Sequence, residues 1–168
     1  MSFANMFRCF LTCISPMLNT KVCYYVKFHK RLDLKNPRTL NEKNLWLKMF
    51  RYRDNELVKQ CADKYAVREY IEKCGCREIL NDLLGVYDSP DEIDWEKLPD
   101  SFALKWNYGC GLNIIVPDKS KLDIPTTVKR LNEMKKKNFY LPYSEFQYKN
   151  VTKKLLVEKY LCDGSGVL

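Results

Sequence analysis

The chain has 168 residues, of which 46% are hydrophobic and 30% are charged, a composition that excludes a disordered chain and indicates a globular protein. Its net charge of +8 is concentrated in residues 1–53, which carry 11 lysines and arginines against two acidic residues. Such a basic region suits an anionic membrane, an anionic polymer or nucleic acid, and a solvated basic face would give the same pattern.

The eight cysteines do not form a metal-binding pattern. They include no C-x-x-C pair, and His29 is the single histidine that could add a further ligand. A zinc site is therefore not expected. Because the N-terminus does not have the form of a cleavable signal peptide, we expect a cytoplasmic protein whose thiols stay reduced.

The first 28 residues repeat large apolar side chains close to helical spacing: Phe3, Phe7, Phe10 and Ile14. Arg8 and polar residues interrupt this run, so it cannot span a bilayer. Two interpretations stay open. The segment is either a helix packed on the domain, or an interfacial helix that nearby lysines hold at the inner membrane surface.

Helix boundaries are well marked between residues 34 and 76. Thr39 and Glu42 form a capping box, in which each side chain satisfies a backbone N–H at a helix start. Asp54 is predicted to cap the next helix, which continues to a stop at Gly75. The N-terminal half is therefore predicted to be largely helical.

Residues 77–100 are interpreted as an acidic connector of turns and one short helix, interrupted by Pro90 and Pro99. Paired carboxylates here could suggest acid–base chemistry, but turn and capping positions explain them more simply. Ile93, Trp95 and Leu98 would anchor the connector.

Residues 101–116 are predicted to form a strand, a glycine loop and a second strand. The first strand alternates between an apolar and a polar set, which are Phe102, Leu104 and Trp106 against Ala103, Lys105 and Asn107. The loop contains Gly109 and Gly111. A lysine aimed at such a loop can hold a polyphosphate, because flexible glycines let backbone N–H groups converge on oxygens. A glycine loop of this kind can also simply turn the chain.

A helix beginning at Asp123 or Pro125 and ending in three lysines is predicted next, since lysines complement the dipole at a helix C-terminus. The aromatic-rich residues 139–148 are interpreted as a flap over the core. Aromatic rings beside lysines could stack bases, but no nucleic-acid motif accompanies them, and no nucleic-acid partner is expected.

Residues 153–161 are predicted to form a third strand, which carries the carboxylate of Glu158 among apolar residues. An unpaired buried carboxylate is costly, so Glu158 should have a partner. That partner would be a lysine, or a hydroxyl or amine of a ligand.

Several ordered segments carry a family resemblance: residues 36–48 (NPRTLNEKNLWLK), 63–70 (DKYAVREY), 84–89 (LGVYDS), 98–111 (LPDSFALKWNYGCG) and 157–161 (VEKYL). In these the chain resembles the TupA-like (teichuronopeptide biosynthesis) family of the ATP-grasp superfamily. The similarity extends from about Tyr25 onward. It is specific because several motifs match in order.

The resemblance implies an ATP site made of Lys105, Asn107, Tyr108, Gly109, Cys110, Gly111, Asn113, Glu158, Lys159, Tyr160 and Leu161. Lys105 would contact the phosphates of the nucleotide, in particular the α-phosphate. Residues 108–111 would form the loop that covers the phosphates, with Asn107 and Asn113 bracing it or donating to oxygens. The family usually has His and Ser where this chain has Tyr108 and Cys110. Contacts that the loop backbone makes to the phosphates do not depend on these side chains and would be kept.

Residues 158–161 would form the adenine hinge. Backbone groups near Tyr160 and Leu161 would pair with the purine edge. Glu158 would accept from the exocyclic amine or fix Lys159.

The reaction implied by the resemblance is carboxylate–amine ligation in bacterial surface polysaccharide biosynthesis, such as capsule or cell-wall teichuronopeptide. ATP would phosphorylate a carboxylate, and an amine would attack the acyl phosphate. The family's magnesium-binding residues follow the hinge, and this chain ends seven residues beyond Leu161. We therefore expect a truncated, inactive fragment, and whether the chain is an enzyme stays open.

The fold expected is α/β (α+β), with a mostly helical region over residues 1–97 and a partial ATP-grasp subdomain with an antiparallel sheet over residues 98–168. An apolar surface left bare by a missing half would favour oligomers. The alternative function is a non-catalytic or glycosyltransferase-associated module that binds an anionic glycan or a partner enzyme of membrane-associated polysaccharide machinery.

Overall fold

The computed structural model describes residues 2–162, which form seven α-helices and one four-stranded antiparallel sheet. The helices are α1 Phe3–Ile14, α2 Pro16–Phe28, α3 Leu40–Phe50, α4 Glu56–Ala62, α5 Ala66–Lys73, α6 Ile124–Lys135 and α7 Tyr140–Tyr143. The strands are β1 Leu83–Tyr87, β2 Phe102–Trp106, β3 Asn113–Val116 and β4 Leu155–Lys159. The predicted α/β class, with a helical region before an antiparallel sheet, is confirmed.

The chain divides into two compact units. The helical unit takes in the described residues up to Gln60 together with Asn138–Val151. The sheet unit takes in Cys61–Lys137 and the described residues from Thr152 onward. A functional boundary between residues 97 and 98 stays a prediction.

The helical unit begins with two helices where the sequence suggested one run. Ser15 has an extended backbone, and its side chain caps α2 by accepting from the N–H of Leu18 at 3.3 Å. Pro16, the first residue of α2, has no N–H to donate to the preceding turn. The segment therefore breaks at Ser15.

A buried polar cluster ties the first two helices to α7. The side-chain amide of Asn19 donates to Thr12 Oγ1 at 2.8 Å and to Ser144 Oγ at 3.1 Å. The same amide reaches the carbonyl of Pro142 at 3.2 Å. Because Asn19 is fully buried, these bonds offset the cost of removing its amide from water.

The later helix boundaries confirm some predictions and correct others. The capping box of Thr39 and Glu42 is present at α3, and Gly75 follows α5 with a φ of +76°. The predicted cap at Asp54 is wrong, because the neighbouring Asn55 side chain accepts from the first N–H groups of α4. The predicted continuous helix is also interrupted, since Asp63 Oδ1 accepts from two backbone N–H groups and starts α5 afresh.

The sheet has the strand order β1-β4-β2-β3, with every neighbouring pair antiparallel. The β2–β3 hairpin and β4 confirm the predicted strands. Strand β1 lies within residues 77–100, which were predicted to form turns and one short helix, so the sequence did not predict it. This strand is only half-buried and contains Gly85, so its apolar pattern is weak.

The core of the sheet unit lies where α6 covers one face of the sheet. Phe102, Leu104 and Trp106 are fully buried there, as their alternation predicted. Trp106 Nε1 donates to the carbonyl of Leu131 in α6 at 3.1 Å. Asp123 caps this helix by accepting from the N–H of Thr126, which confirms its predicted start. The opposite face of β2 carries Lys105.

Candidate functional site

The glycine loop between β2 and β3 has a backbone that depends on glycine. Gly109 and Gly111 both have a φ of +65°, a conformation that other residues adopt rarely. The N–H of Trp106 donates to the carbonyl of Leu112 at 2.9 Å and closes the loop at its base. Cys110, at the tip, is exposed. The loop is therefore built from backbone groups more than from side chains.

Lys105 and Glu158 form the charged centre of the sheet face beside this loop. Lys105 Nζ lies 2.7 Å from Glu158 Oε2, with side-chain exposures of 31% and 10%. The other carboxylate oxygen of Glu158 lies 3.9 Å from Arg68 of α5. The predicted partner of Glu158 is thus a lysine from the neighbouring strand.

Lys64 adds a second ammonium group at the loop. Its Nζ donates to the carbonyl of Gly109 at 2.8 Å, and its backbone N–H donates to the carbonyl of Asn107 at 2.8 Å. Burial lowers the pKa of Lys64 and the Lys105 ammonium lowers it further, whereas Asp63 and Glu158 act in the opposite direction. Lys64, Lys105 and Glu158 therefore share one electrostatic environment.

Asn107 is buried, and its side chain is fully engaged within the sheet unit. Its amide nitrogen donates to Asp63 Oδ2 at 2.7 Å and to the carbonyl of Thr152 at 2.9 Å. Its Oδ1 accepts from the N–H of Lys154 at 2.9 Å. Both N–H donors of the amide are used, so Asn107 joins the start of α5, the end of β2 and the entry to β4.

Tyr108 points away from the tip of the loop. Its ring is buried, and its hydroxyl lies 2.9 Å from the carbonyl of Lys135 and 3.3 Å from that of Met134, at the C-terminal end of α6. Burial raises the pKa of Tyr108 to about 12. The phenol therefore hydrogen-bonds to the end of α6, and Tyr108 contributes its backbone to the glycine loop.

The remaining predicted site residues lie on β3 and at the end of β4. Asn113 is exposed and pairs directly with Lys105 across β2 and β3. Lys159 points to the opposite face of β4 from Glu158, and its Nζ lies 3.1 Å from Asp82. The carbonyl of Lys159 accepts from Asn81 at 2.9 Å, Tyr160 is half-buried, and Leu161 is exposed.

The structure thus brings the side chains of Lys105 and Glu158 together on one face of β2 and β4. Asn113 and the two glycines lie at the end of β2 that follows Lys105, whereas Glu158 pairs with Ala103 towards the start of that strand. The side chains of Asn107 and Tyr108 are directed into the protein. Sequence reasoning gave no role to Lys64 or Arg68, although both lie in the 63–70 segment that carried the family resemblance. The sequence did contain a signal for them: a lysine and an arginine lie four residues apart, directly after Asp63, a residue type that caps helices.

This arrangement can attract and orient a phosphate chain. Two ammonium groups next to a glycine loop supply positive charge and donors, while Glu158 and Asp63 keep the cluster from repelling itself. Among residues 2–162, no group of three or more His, Cys, Asp or Glu side chains is placed to hold a metal ion. None of the described helices is long and apolar enough to cross a bilayer.

The phenol of Tyr108 leads to a prediction about stability. The Tyr108→Phe variant should lose about 1–2 kcal/mol of unfolding free energy at neutral pH, because the buried hydrogen bond from the phenol to the carbonyls at the end of α6 is lost. Neutral Tyr108 is favoured in the folded state up to its raised pKa of about 12, against about 10 in the unfolded chain. Its contribution is therefore complete below about pH 10 and lost as the pH rises towards 12.

Urea unfolding of both proteins at several pH values between neutral and strongly alkaline measures this difference. The gap in unfolding free energy should narrow above about pH 10. Tyr25→Phe, at an exposed position of α2, is the matched control and should match the wild type throughout. A gap that stays constant with pH would show that the phenol of Tyr108 titrates normally.

The comparisons with known proteins gave one positive finding. The family model described as TupA-like ATPgrasp matches residues 42–167, which is most of the chain and includes the glycine loop and β4. No curated protein and no solved structure matched the chain.

Proposed function

Because the chain belongs to the TupA-like ATP-grasp family, we propose that its sheet unit binds ATP and that the protein serves carboxylate–amine ligation in the assembly of a bacterial surface polysaccharide. ATP would supply the phosphoryl group that activates the carboxylate. The residues described above would hold and orient the nucleotide.

The observation that carries the proposal is the placement of Lys105 and Lys64 around Gly109–Gly111. Lys105 is partly exposed and held by Glu158, so its ammonium can be shared with an entering phosphate. Lys64 fixes the loop through the Gly109 carbonyl. Backbone N–H groups of the loop and the exposed amide of Asn113 would add donors around the phosphate oxygens.

The adenine would lie towards the end of β4. Backbone groups near Tyr160 and Leu161 would pair with the purine edge, as in the hinge that the family implies. Arg68 and Asn81 border this region, since Arg68 donates to the Asn81 carbonyl at 2.8 Å and Asn81 donates to that of Lys159. This hydrogen-bonded chain would fix the backbone that the base reads.

Magnesium is not given a site in this proposal. ATP-grasp proteins in general bind ATP together with Mg²⁺, but the described residues hold no cluster of metal-ligating side chains. A metal entering with ATP would be carried by the phosphates, and we assign it no protein ligand. On the same ground we propose that these residues alone bind the nucleotide without turning it over.

A groove in the helical unit favours the second candidate, an anionic glycan module acting in the cytoplasm near the polysaccharide machinery. The groove has a volume of about 390 Å³ and is lined by lysines, amides and rings, together with one carboxylate, that of Glu145. They include Lys27, Lys48, Asn41, Asn44, Tyr24 and Tyr143. Lys48 Nζ donates to the Tyr143 carbonyl at 2.7 Å. Rings and amides suit a sugar, and lysines suit its carboxylates.

Calorimetric titration of the 168-residue chain with magnesium-ATP tests the proposal. Saturable binding with one site, at least about tenfold tighter than magnesium-tripolyphosphate, is expected because the hinge adds contacts to the base. Equal affinity for both ligands would overturn the nucleotide assignment and leave only a cationic surface. No binding by a folded chain, together with binding of a polyuronate, would favour the glycan module.

A further inference from the structure

Helix α1 turns its apolar side outwards. Five large side chains lie three, four or seven residues apart on one side of the helix and form what we call the outward stripe: Phe3, Met6, Phe7, Phe10 and Ile14. The exposed fractions are 79% for Phe3, 60% for Phe10 and 61% for Ile14. The stripe is therefore open to solvent along the whole helix.

The opposite side of α1 is the side that packs. Leu11 and Thr12 are the buried residues of this helix. Thr12 Oγ1 lies 3.0 Å from Ser144 Oγ and accepts from Asn19. Helices on the surface of soluble domains usually bury their apolar face, and α1 does the reverse. A buried polar network thus fixes the helix with its apolar side presented outwards.

The segment that carries the outward stripe has charges of a single sign. Residues 2–32 contain no carboxylate side chain, and their charged side chains are all cationic: Arg8, Lys21, Lys27, Lys30 and Arg31. The first acidic residue is Asp33. In α2, Lys21, Val22 and Tyr25 line one shallow groove together with Arg31 and Leu32. Cations and exposed apolar side chains therefore also mix on the neighbouring helix.

We propose that the outward stripe of α1 is a docking surface for a membrane containing anionic lipids. Apolar side chains of an interfacial helix enter the boundary between headgroups and acyl chains, while cations nearby contact the headgroups. The charge pattern favours this occupant over a second copy of the chain. Two copies meeting through α1 would bring together cationic segments with no acidic residue to neutralise them.

Docking by α1 needs no membrane-spanning segment and no nucleotide. Its contacts come from the helical unit, whereas the nucleotide site belongs to the sheet unit. The inference therefore stands independently of the proposed function, and a failure of one does not decide the other.

Cosedimentation with vesicles tests the docking surface. The chain is mixed with vesicles of phosphatidylcholine alone and with vesicles in which about one third of the lipid is phosphatidylglycerol. Binding should be about tenfold stronger to the anionic vesicles and should weaken when salt is raised to about 0.5 M. The double variant Phe3→Ser/Phe10→Ser should lose about tenfold or more in binding, because both rings leave the lipid boundary.

The matched control is Leu40→Ser/Ile79→Ser, which removes two exposed apolar side chains that do not belong to α1. It should bind like the wild type, and circular dichroism should show unchanged helix content in both double variants. Equal binding by wild type and stripe variant would overturn the inference. So would a wild-type dimer, seen by light scattering, that the stripe variant abolishes without any binding to vesicles.

Discussion

Replacing Lys105 by alanine is expected to weaken binding of magnesium-ATP about ten- to a hundredfold. A charge-assisted hydrogen bond contributes about 1.5–3 kcal/mol, and each 1.4 kcal/mol corresponds to about a factor of ten in affinity. Lys105 is the partly exposed ammonium on the face of β2 opposite Phe102, Leu104 and Trp106, and it pairs across the hairpin with Asn113. No other described lysine combines these two positions.

The variant is expected to fold, which makes the result interpretable. Lys105 is partly exposed, and Glu158 keeps Arg68 at 3.9 Å when the ammonium is removed. The carboxylate is therefore not left without a cation in the protein. Unfolding in urea should show only a small change.

Lys129→Ala is the matched control for the loss of one positive charge. Lys129 is an exposed residue of α6 in the same unit. Its removal should leave the affinity for magnesium-ATP within about twofold, since exposed charges at a distance are screened. If both variants bound alike, the assignment of Lys105 to the phosphates would be wrong.

The largest expected effect on stability comes from Asn107→Asp. The substitution is nearly isosteric but places a second carboxylate at the position where the amide nitrogen donates to Asp63 and to the Thr152 carbonyl. Three acceptors would then face one another in a buried site. We expect a loss of about 3 kcal/mol or more in unfolding free energy at neutral pH.

The sign of the pH dependence identifies the cause. Repulsion and burial raise the pKa of the new carboxyl above its value of about 3.9 in the unfolded chain. The variant is therefore least destabilised below about pH 4, where the group is protonated in both states, and loses stability as the pH rises through the raised pKa. Urea unfolding at acidic and neutral pH measures this trend.

Asn44→Asp, an identical exchange at an exposed position of α3, is the control and should change stability little. A variant at position 107 that is equally destabilised at all pH values would point to lost packing. The interpretation through charge would then fail.

Elements with a local physical cause were the ones that the sequence predicted well. The alternation of Phe102, Leu104 and Trp106 gave β2 and its buried face. Asp123 marked the start of α6 because an aspartate before Pro125 can cap a helix. Glu158 was expected to have a partner because an unpaired carboxylate in an apolar strand is costly, and Lys105 is that partner.

Features that depend on distant residues could not be predicted. The phenol of Tyr108 is directed to carbonyls at the end of α6, which only the folded chain brings close. The role of Lys64 depends on the Gly109 carbonyl in the same way. Strand β1 shows no alternation of apolar and polar residues and contains Gly85, and it becomes a strand because β4 offers it an edge.

The error at Asp54 has a different origin. Asp54 and Asn55 are adjacent residues with equal capping ability, so local preference cannot choose between them. The structure chooses Asn55, since its side chain reaches the N–H groups of both Leu57 and Val58.

The position of β4 also bears on the synthesis of the protein. This strand is translated after every other described element, yet it lies between β1 and β2. Until it leaves the ribosome, the nascent chain holds β1 without a neighbour and the β2–β3 hairpin with an open edge, two surfaces that invite pairing with other chains. A chaperone that shields these edges during translation would therefore raise the yield of folded protein. The ion pair of Lys105 with Glu158 forms only when β4 has paired with β2 and covered the open edge.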